Sequence, residues 1–312
     1  MNVLILGAAG FIGTNLTITL SKDRNNFITL VDKKKEFFGD IQALKLSNVQ
    51  IKESEFEMDT DFESLLEGQD IIYHLISTTV PTTSNQHISQ ELIANVVVTS
   101  VMLDACVRCN IKKVVFISSG GTVYGKEVGC PLKENTATNP ISSYGVQKVT
   151  IEKLLYLYNH MYGLDYRVIR LANPYGPYQR PNGILGAVTT FTYKALKGEP
   201  INVYGDGSVI RDFIYIDDAI GAICNIVNVE NKHKTFNLGC GYGTSINEIL
   251  KIISEVLDIK LDIRYLPGRK VDVPVNYLDI SRYEKYFGEL NPKTLSEGIR
   301  QTVEFMKIYY KL

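Results

Sequence analysis

A chain of 312 residues is long enough for one large core or two fused ones, and two lobes is the expectation here. A formal net charge of −1, with lysines and arginines spread along the chain, argues against nucleic acid as a partner and against anionic membrane surfaces. The start of the chain carries no export signal and no apolar run approaches the ~18 residues needed to cross a bilayer, so a cytoplasmic protein without membrane insertion is expected.

Asn2 to Leu6 is a short apolar strand pattern, followed at once by Gly7-Ala8-Ala9-Gly10-Phe11-Ile12-Gly13 and a helix pattern through Leu20. Strand, glycine turn and helix in that order are the context of a dinucleotide fingerprint. Gly7 allows the tight turn, Gly10 the close approach of a pyrophosphate, and Gly13 the packing of helix on sheet. Phe11 and Ile12 open the helix whose N-terminus stabilises the phosphate charge, and count as cofactor contacts. The second strand, Phe27 to Val31, ends in Asp32, about twenty residues on, where an acid binds the adenosine ribose hydroxyls. A carboxylate there repels a 2′-phosphate, which favours NAD over NADP, although Lys33-Lys34-Lys35, read as a solvated loop, could offset part of that repulsion.

A third strand is expected around Val49 to Ile51, and Asp59 is the acid favoured for reading the adenine amino group. Asp70 to Leu75 reads as a fourth strand buried on both faces, with His74 a hydrogen-bonded core histidine. Leu75 and Ile76 are cofactor contacts at its carboxyl end, the edge where open α/β sheets place ligands. Ser77, Thr78 and Thr79 offer hydroxyls there. The helix from about Gln90 to Cys109 is apolar nearly all round. Its Cys106-x-x-Cys109 has no second pair or nearby His to complete a metal site, so none is expected, and the five cysteines fit reduced thiols.

Lys112 to Ile117 is a fifth strand, ending in Ser118-Ser119-Gly120-Gly121-Thr122-Val123-Tyr124-Gly125. Beyond Pro131 and Pro140 comes a helix opening Ser142-Ser143-Tyr144-Gly145-Val146-Gln147-Lys148. Four residues apart, Tyr144 and Lys148 share one face, and an ammonium beside a phenol favours the phenolate, so Tyr144 can act as a general base. This helix also has an apolar excess, in Ile151, Leu154, Leu155, Leu157 and Tyr158. A homodimer packing helices 90–109 and 141–162 against their copies would cover both.

Up to Leu171 strand alternates with helix, which predicts an α/β fold with a Rossmann-type, doubly wound parallel sheet. Residues 1–172 form this dinucleotide-binding domain, with a returning segment near 206–230. Residues 173–312 form a smaller, interdigitated α/β lobe, with helix patterns at 183–196, 217–228, 246–257 and 295–309 and strand patterns at 201–204, 210–216 and 261–265.

The glycine turn at Gly7, Asp32, the strand ending at His74-Leu75, Ser118 to Gly125, the Tyr144/Lys148 pair, Asn173-Pro174 and Arg211-Asp212-Phe213-Ile214-Tyr215-Ile216-Asp217-Asp218 together resemble the extended short-chain dehydrogenase/reductases. The similarity runs nearly end to end and is nearest to the NAD-dependent epimerase/dehydratase group, which includes UDP-galactose 4-epimerase. The resemblance implies NAD as cofactor, contacting Ser118, Tyr144 and Lys148 as well as the glycine turn. It implies a nucleotide-diphosphate sugar, a UDP-sugar, as substrate, bound by Ser119, Asn173, Arg211, Arg269 and Asp272. Transient oxidation at C4 to a 4-keto sugar, with Tyr144 as the base and Lys148 lowering its pKa, then gives 4-epimerisation of a UDP-hexose or UDP-N-acetylhexosamine, a step of polysaccharide biosynthesis. Where the family carries a catalytic Ser or Thr, this chain has Gly120; Thr122 is the expected replacement and Ser119 the other nearby hydroxyl. Gly121 and Thr122 stand where 4,6-dehydratases use an Asp-Glu pair. Asn276, four residues after Asp272, is expected to border the sugar's C2 substituent and to admit an N-acetyl group. Competing readings are a nucleotide-sugar 4-reductase of the same fold and a non-catalytic dinucleotide-binding regulator.

Overall fold

A computed structural model describes residues 1–81, 84–126, 129–181, 186–268 and 273–312. From the N-terminus run β1 (Asn2–Leu6), α1 (Phe11–Leu20), β2 (Phe27–Asp32), α2 (Gly39–Ala43), β3 (Val49–Glu53), α3 (Phe62–Leu66), β4 (Ile71–His74) and α4 (Ile88–Leu92). A π-helical turn, Ile93–Val97, leads into α5 (Val98–Arg108), followed by β5 (Lys113–Ser119), α6 (Ser143–Tyr162) and β6 (Asp165–Leu171). Next come β7 (Asn173–Tyr175), α7 (Ala187–Leu196), β8 (Ile201–Tyr204), β9 (Ile210–Arg211), β10 (Phe213–Tyr215), α8 (Ile216–Asn228) and β11 (Thr235–Leu238). The chain ends with β12 (Thr244–Ser245), α9 (Ile246–Leu257), β13 (Ile263–Leu266), β14 (Val275–Asn276), α10 (Ser281–Phe287) and α11 (Leu295–Tyr310).

Seven strands form one sheet in the order β11-β6-β5-β4-β1-β2-β3, and every neighbouring pair is parallel. The expected Rossmann-type doubly wound sheet is therefore present. Its strands read as unbroken apolar runs because both faces are covered: Val3 and Ile5 of β1 face one buried cluster, Leu4 and Leu6 the other. Strand order reverses between β1 and β4, so the carboxyl ends of those two strands diverge into a crevice.

After β6 the chain leaves the sheet and returns to it. α8 lays Ile220, Ile223 and Ile226 into the same core that β1 uses, and β11 pairs in parallel with β6. A second core joins α7, β8, α9 and α11 through Val188, Ile201, Val203, Ile249, Ile253 and Ile299. Asp212 ties the two together. Its carboxylate, wholly buried, accepts from the backbone N–H groups of Cys240 (2.7 Å), Leu278 (3.2 Å) and Gly241 (3.3 Å), and burial pushes it up to about 6.

One expectation needs correction. The helical run Ile88–Arg108, 21 residues with a mean hydropathy of 1.4, is long and apolar enough to cross a membrane by length and composition. In the fold it covers the sheet, contributing Val98, Met102, Leu103 and Cys106 to the core, while its Asn95 and Thr99 hydrogen-bond to Thr78 and His74. Hydropathy cannot separate a helix buried by protein from one buried by lipid.

Candidate active site

A cleft of ≈ 670 Å³ opens at the carboxyl edge of the sheet and extends to α7 and β8 of the second lobe. Gly7 begins it with φ +77°, a conformation in which a side chain would strain the backbone, and a Cβ there would lie 3.1 Å from Ile76. At Gly13 a Cβ would fall 2.5 Å from the Ala8 carbonyl oxygen, so only glycine lets α1 sit this close to the turn. Gly10 caps α1 without a side-chain hydrogen bond, which leaves first-turn N–H groups to a ligand anion. Gly7, Gly10, Phe11, Ile12 and Leu75 all line the cleft; Ile76 packs behind it, against the core. These features fit a dinucleotide pyrophosphate.

Asp32 stands at the end of β2 with its carboxylate accepting from Ala9 N (3.0 Å) and Lys33 N (2.9 Å). Lys33 pairs with Glu55 at 3.2 Å and the Lys35 backbone N–H donates to Glu53, so neighbouring acids already engage part of that basic run. Asp59 is exposed in a turn and is not a lining residue. The geometry does not bring it to the cleft.

α6 carries Tyr144 and Lys148. Ser142 caps its N-terminus by accepting from Gly145 N at 3.2 Å. A Cβ at Gly145 would come within 2.7 Å of both Pro140 and the Thr122 carbonyl oxygen; the residue after Tyr144 is therefore the one that lets the helix start against this loop. Tyr144 and Lys148 both line the cleft. The Lys148 Nζ lies 5.5 Å from the Tyr144 ring centroid, 4.6 Å from that of Phe116, and donates to the Ile117 carbonyl at 2.9 Å. Burial pushes the phenol up to about 12. It pushes the ammonium down to about 8, against the pull of Glu152, which favours its charge. In the protein alone desolvation thus outweighs the effect of a neighbouring ammonium on Tyr144, and a further positive charge in the cleft is what would favour the phenolate.

Ser118, Ser119, Asn173 and Arg211 also line the cleft. The Asn173 side-chain amide donates to the Asp212 carbonyl at 2.8 Å. Arg211 Nη1 donates to the carbonyls of Val273 (2.6 Å) and Ile210 (2.8 Å), which orients its guanidinium. Arg269 and Asp272 lie outside the described residues.

Two of the expected site residues, like Asp32, do not line the cleft. Thr122 is not on the cleft wall, and its hydroxyl oxygen is buried with no hydrogen-bond partner; Ser119 is the hydroxyl that reaches the cleft. Asn276 is 2% exposed, also absent from the wall, with its amide 3.4 Å from the Gly120 and Gly121 carbonyls and its backbone paired to Arg211 across β14 and β9. At Gly120 a Cβ would lie 2.5 Å from Leu278 Cδ1, so a leucine methyl takes the place of the missing side chain.

The sequence reading missed the far wall. Thr190, Phe191 and Lys194 of α7, with Asn202 and Tyr204 of β8, close the cleft in the second lobe. The one local signal was the single-turn spacing of Thr190 and Lys194, in a helix that also carries Thr189, Thr192 and Tyr193. Glu152 was missed too, although it continues the Tyr144–Lys148 face by another turn.

Sequence and structure comparisons show which known proteins the chain is similar to. A profile of the NAD dependent epimerase/dehydratase family matches residues 3–239. A UDP-glucose 4-epimerase of Thermotoga maritima, solved with UDP-glucose, superposes with a TM-score of 0.91 at 31% identity, covering 99% of this chain and all of that one. A UDP-N-acetylglucosamine 4-epimerase of Methanobrevibacter ruminantium, in complex with UDP-N-acetylmuramic acid, gives 0.90 at 30% identity, covering 100% and 99% of the two chains. A UDP-glucuronic acid 4-epimerase of Bacillus cereus, with UDP-glucuronic acid and NAD, gives 0.89 at 28%, covering 99% and 100%.

Proposed function

The chain belongs to the NAD-dependent epimerase/dehydratase family, and from that premise we propose that it is a nucleotide-sugar 4-epimerase acting on a UDP-hexose or UDP-N-acetylhexosamine. One observation carries the reading: a single cleft joins the glycine turn, Ser119, the Tyr144–Lys148 pair and Arg211. Tyr144 takes the proton of the sugar C4 hydroxyl, and returns it when the 4-keto sugar has turned over. Bound NAD supplies the hydride acceptor and, in its oxidised form, the positive charge that favours the phenolate. Lys148 holds the nicotinamide ribose. Ser119 takes the role expected of Thr122 and polarises the C4 oxygen. Asn173 and Arg211, joined by Arg269 and Asp272 through the family resemblance, bind the nucleotide diphosphate of the sugar: the arginines offer its phosphates bidentate geometry, and Asp272 takes the ribose. Asp32 selects NAD over NADP.

The protein works as a homodimer. Ile151 and Leu155 of α6 lie in the chain's own core, but Tyr156, Leu157, Met161 and Tyr162 of α6, and Ile93 and Val97 of the π-helical turn, remain exposed. A second copy covering both helices would bury them. Five unpaired cysteines fit a reducing, cytoplasmic location; the role in polysaccharide biosynthesis rests on the family resemblance alone.

The test is incubation with UDP-, dTDP- and GDP-sugars, separating products by chromatography while following nicotinamide absorbance. Epimer formation from a plain or an N-acetylated UDP-sugar, without net absorbance change, is the expected result. A stoichiometric absorbance change would make the protein a reductase, and no turnover of any sugar a regulator.

A further inference from the structure

Behind Lys148 runs a buried polar chain. Glu152, 7% exposed, accepts from Arg170 through Nε (3.1 and 3.2 Å) and Nη2 (2.6 Å), and from the Ser118 hydroxyl at 2.6 Å. Arg170 in turn donates Nη1 to the Tyr124 hydroxyl (3.1 Å) and the Glu134 carbonyl (3.2 Å), and Tyr124 donates to Asn237 Oδ1 at 2.5 Å. The chain thus passes from the cleft wall at Ser118, through α6 and β6, to β11.

A buried ion pair is a poor source of stability, because taking two charges out of water costs about as much as their attraction returns. This one includes Glu152, one turn along α6 from the lysine that the proposed reaction needs. Lys148 is 5% exposed, so burial favours its neutral form and a nearby anion is required to hold its charge. The ionisable groups around it are few. Tyr144 and Glu152 share its helix, His74 faces it from β4 and is itself kept neutral by burial and by the Lys148 charge, and Arg170 reaches from β6 only as far as Glu152. On α4, Glu91 is occupied by Ser143 and Gln147, and on α5 Asp104 by Tyr158. β5 offers the Phe116 ring, the Ile117 carbonyl and Ser118, none of them charged. Glu152 is the anion that favours the charged lysine. Its second effect is on Ser118: a hydroxyl that donates its one proton to Glu152 can only accept on its cleft side.

We propose that Glu152 is a positioning residue for the Tyr144–Lys148 pair: pinned by Arg170, its carboxylate keeps the Lys148 ammonium protonated beside the phenol and fixes the Ser118 hydroxyl as an acceptor in the cleft. The inference rests on Tyr144 and Lys148 being the acid–base pair proposed above.

Competitive labelling tests it directly. Trace acetic anhydride is applied to the purified protein across a pH series, and acetylation of Lys148 is read by peptide mass spectrometry. The native midpoint should fall near pH 8. In Glu152→Gln it should drop by about one unit, the size of effect expected for loss of a nearby opposite charge, and Glu152→Asp should restore most of the difference. Because Glu152→Gln strands a buried guanidinium, the double variant Glu152→Gln/Arg170→Gln is measured in parallel, and should shift in the same direction by less. A midpoint that stays at the native value in the folded variants overturns the proposal. No sugar enters the experiment, so a wrong substrate assignment would leave its result untouched, and a failed shift would leave the sugar panel untouched.

Discussion

The two sides of the cleft are built differently. On the sheet side, Gly7 and Leu75 follow directly on β1 and β4 and Ser118 lies at the carboxyl end of β5, strands buried on both faces and held in a continuous parallel ladder. On the far side, the wall comes from one face of α7, the four-residue β8 and the two-residue β9, joined to other elements by short pairings and by the buried carboxylate of Asp212. Rigid strand ends suit the cofactor and the proton transfer, whose geometry must not vary. Short, loosely networked elements suit the part that distinguishes one nucleotide sugar from another.

If that division is right, substitutions on the two sides should separate into losses of rate and losses of substrate affinity. Tyr144→Phe breaks the sheet side hardest. Its turnover should fall by ~10²–10⁴ while NAD binding by calorimetry stays close to native; near-native turnover would remove the phenol from the chemistry. Ser119→Ala should lose ~10²–10³ in kcat, as for a lost hydrogen bond to developing charge. Thr122→Val should keep its rate and gain stability by about 1 kcal/mol in urea unfolding, since it removes a buried hydroxyl with no partner. The reverse ranking would return the role to Thr122.

On the other side, Arg211→Ala should raise KM for the nucleotide sugar by ~10–100-fold, the worth of a charged hydrogen bond, and leave NAD affinity unchanged. A matching loss of cofactor affinity would erase the proposed division. The smallest effect is on stability. The Lys148 side chain is pushed from 10.5 down to about 8 by burial, so between those values the folded protein binds fewer protons than the unfolded chain and its stability rises with pH. The gain is on the order of 3 kcal/mol across that window. Lys148→Met should flatten this rise relative to the native protein in pH-dependent unfolding, and should be the more stable form at pH 7 while binding NAD less well.

How much of this was legible follows the same division. The glycine turn and the Tyr144–Lys148 spacing are local signals, because their chemistry depends on residues within a turn or two of each other, and Asp32 is read from its place at the end of the next strand of the same βαβ unit. Where an expected site residue lies off the cleft wall, contacts remote in sequence hold it there. Leu278 fills the space beside Gly120 from 158 positions away along the chain. Asn276 is turned into the protein by carbonyls at 120 and 121, and Thr122 and Ser119, three residues apart, differ only in which wall of the loop they face. β11 joins the sheet through a pairing with β6 that no local pattern announces.

The Gly120–Leu278 contact also imposes an order on substitution. A serine restored at 120 would arrive with its Cβ 2.5 Å from one leucine methyl carbon and 3.0 Å from the other, in a buried pocket where Leu278 is 1% exposed and packs with Val123, Tyr124 and Leu132. The reverse step is easier to survive: trimming Leu278 first leaves a small void, and serine can then enter it. Of the two mutational paths to a hydroxyl at 120, only the one that passes through a smaller residue at 278 avoids an overpacked intermediate.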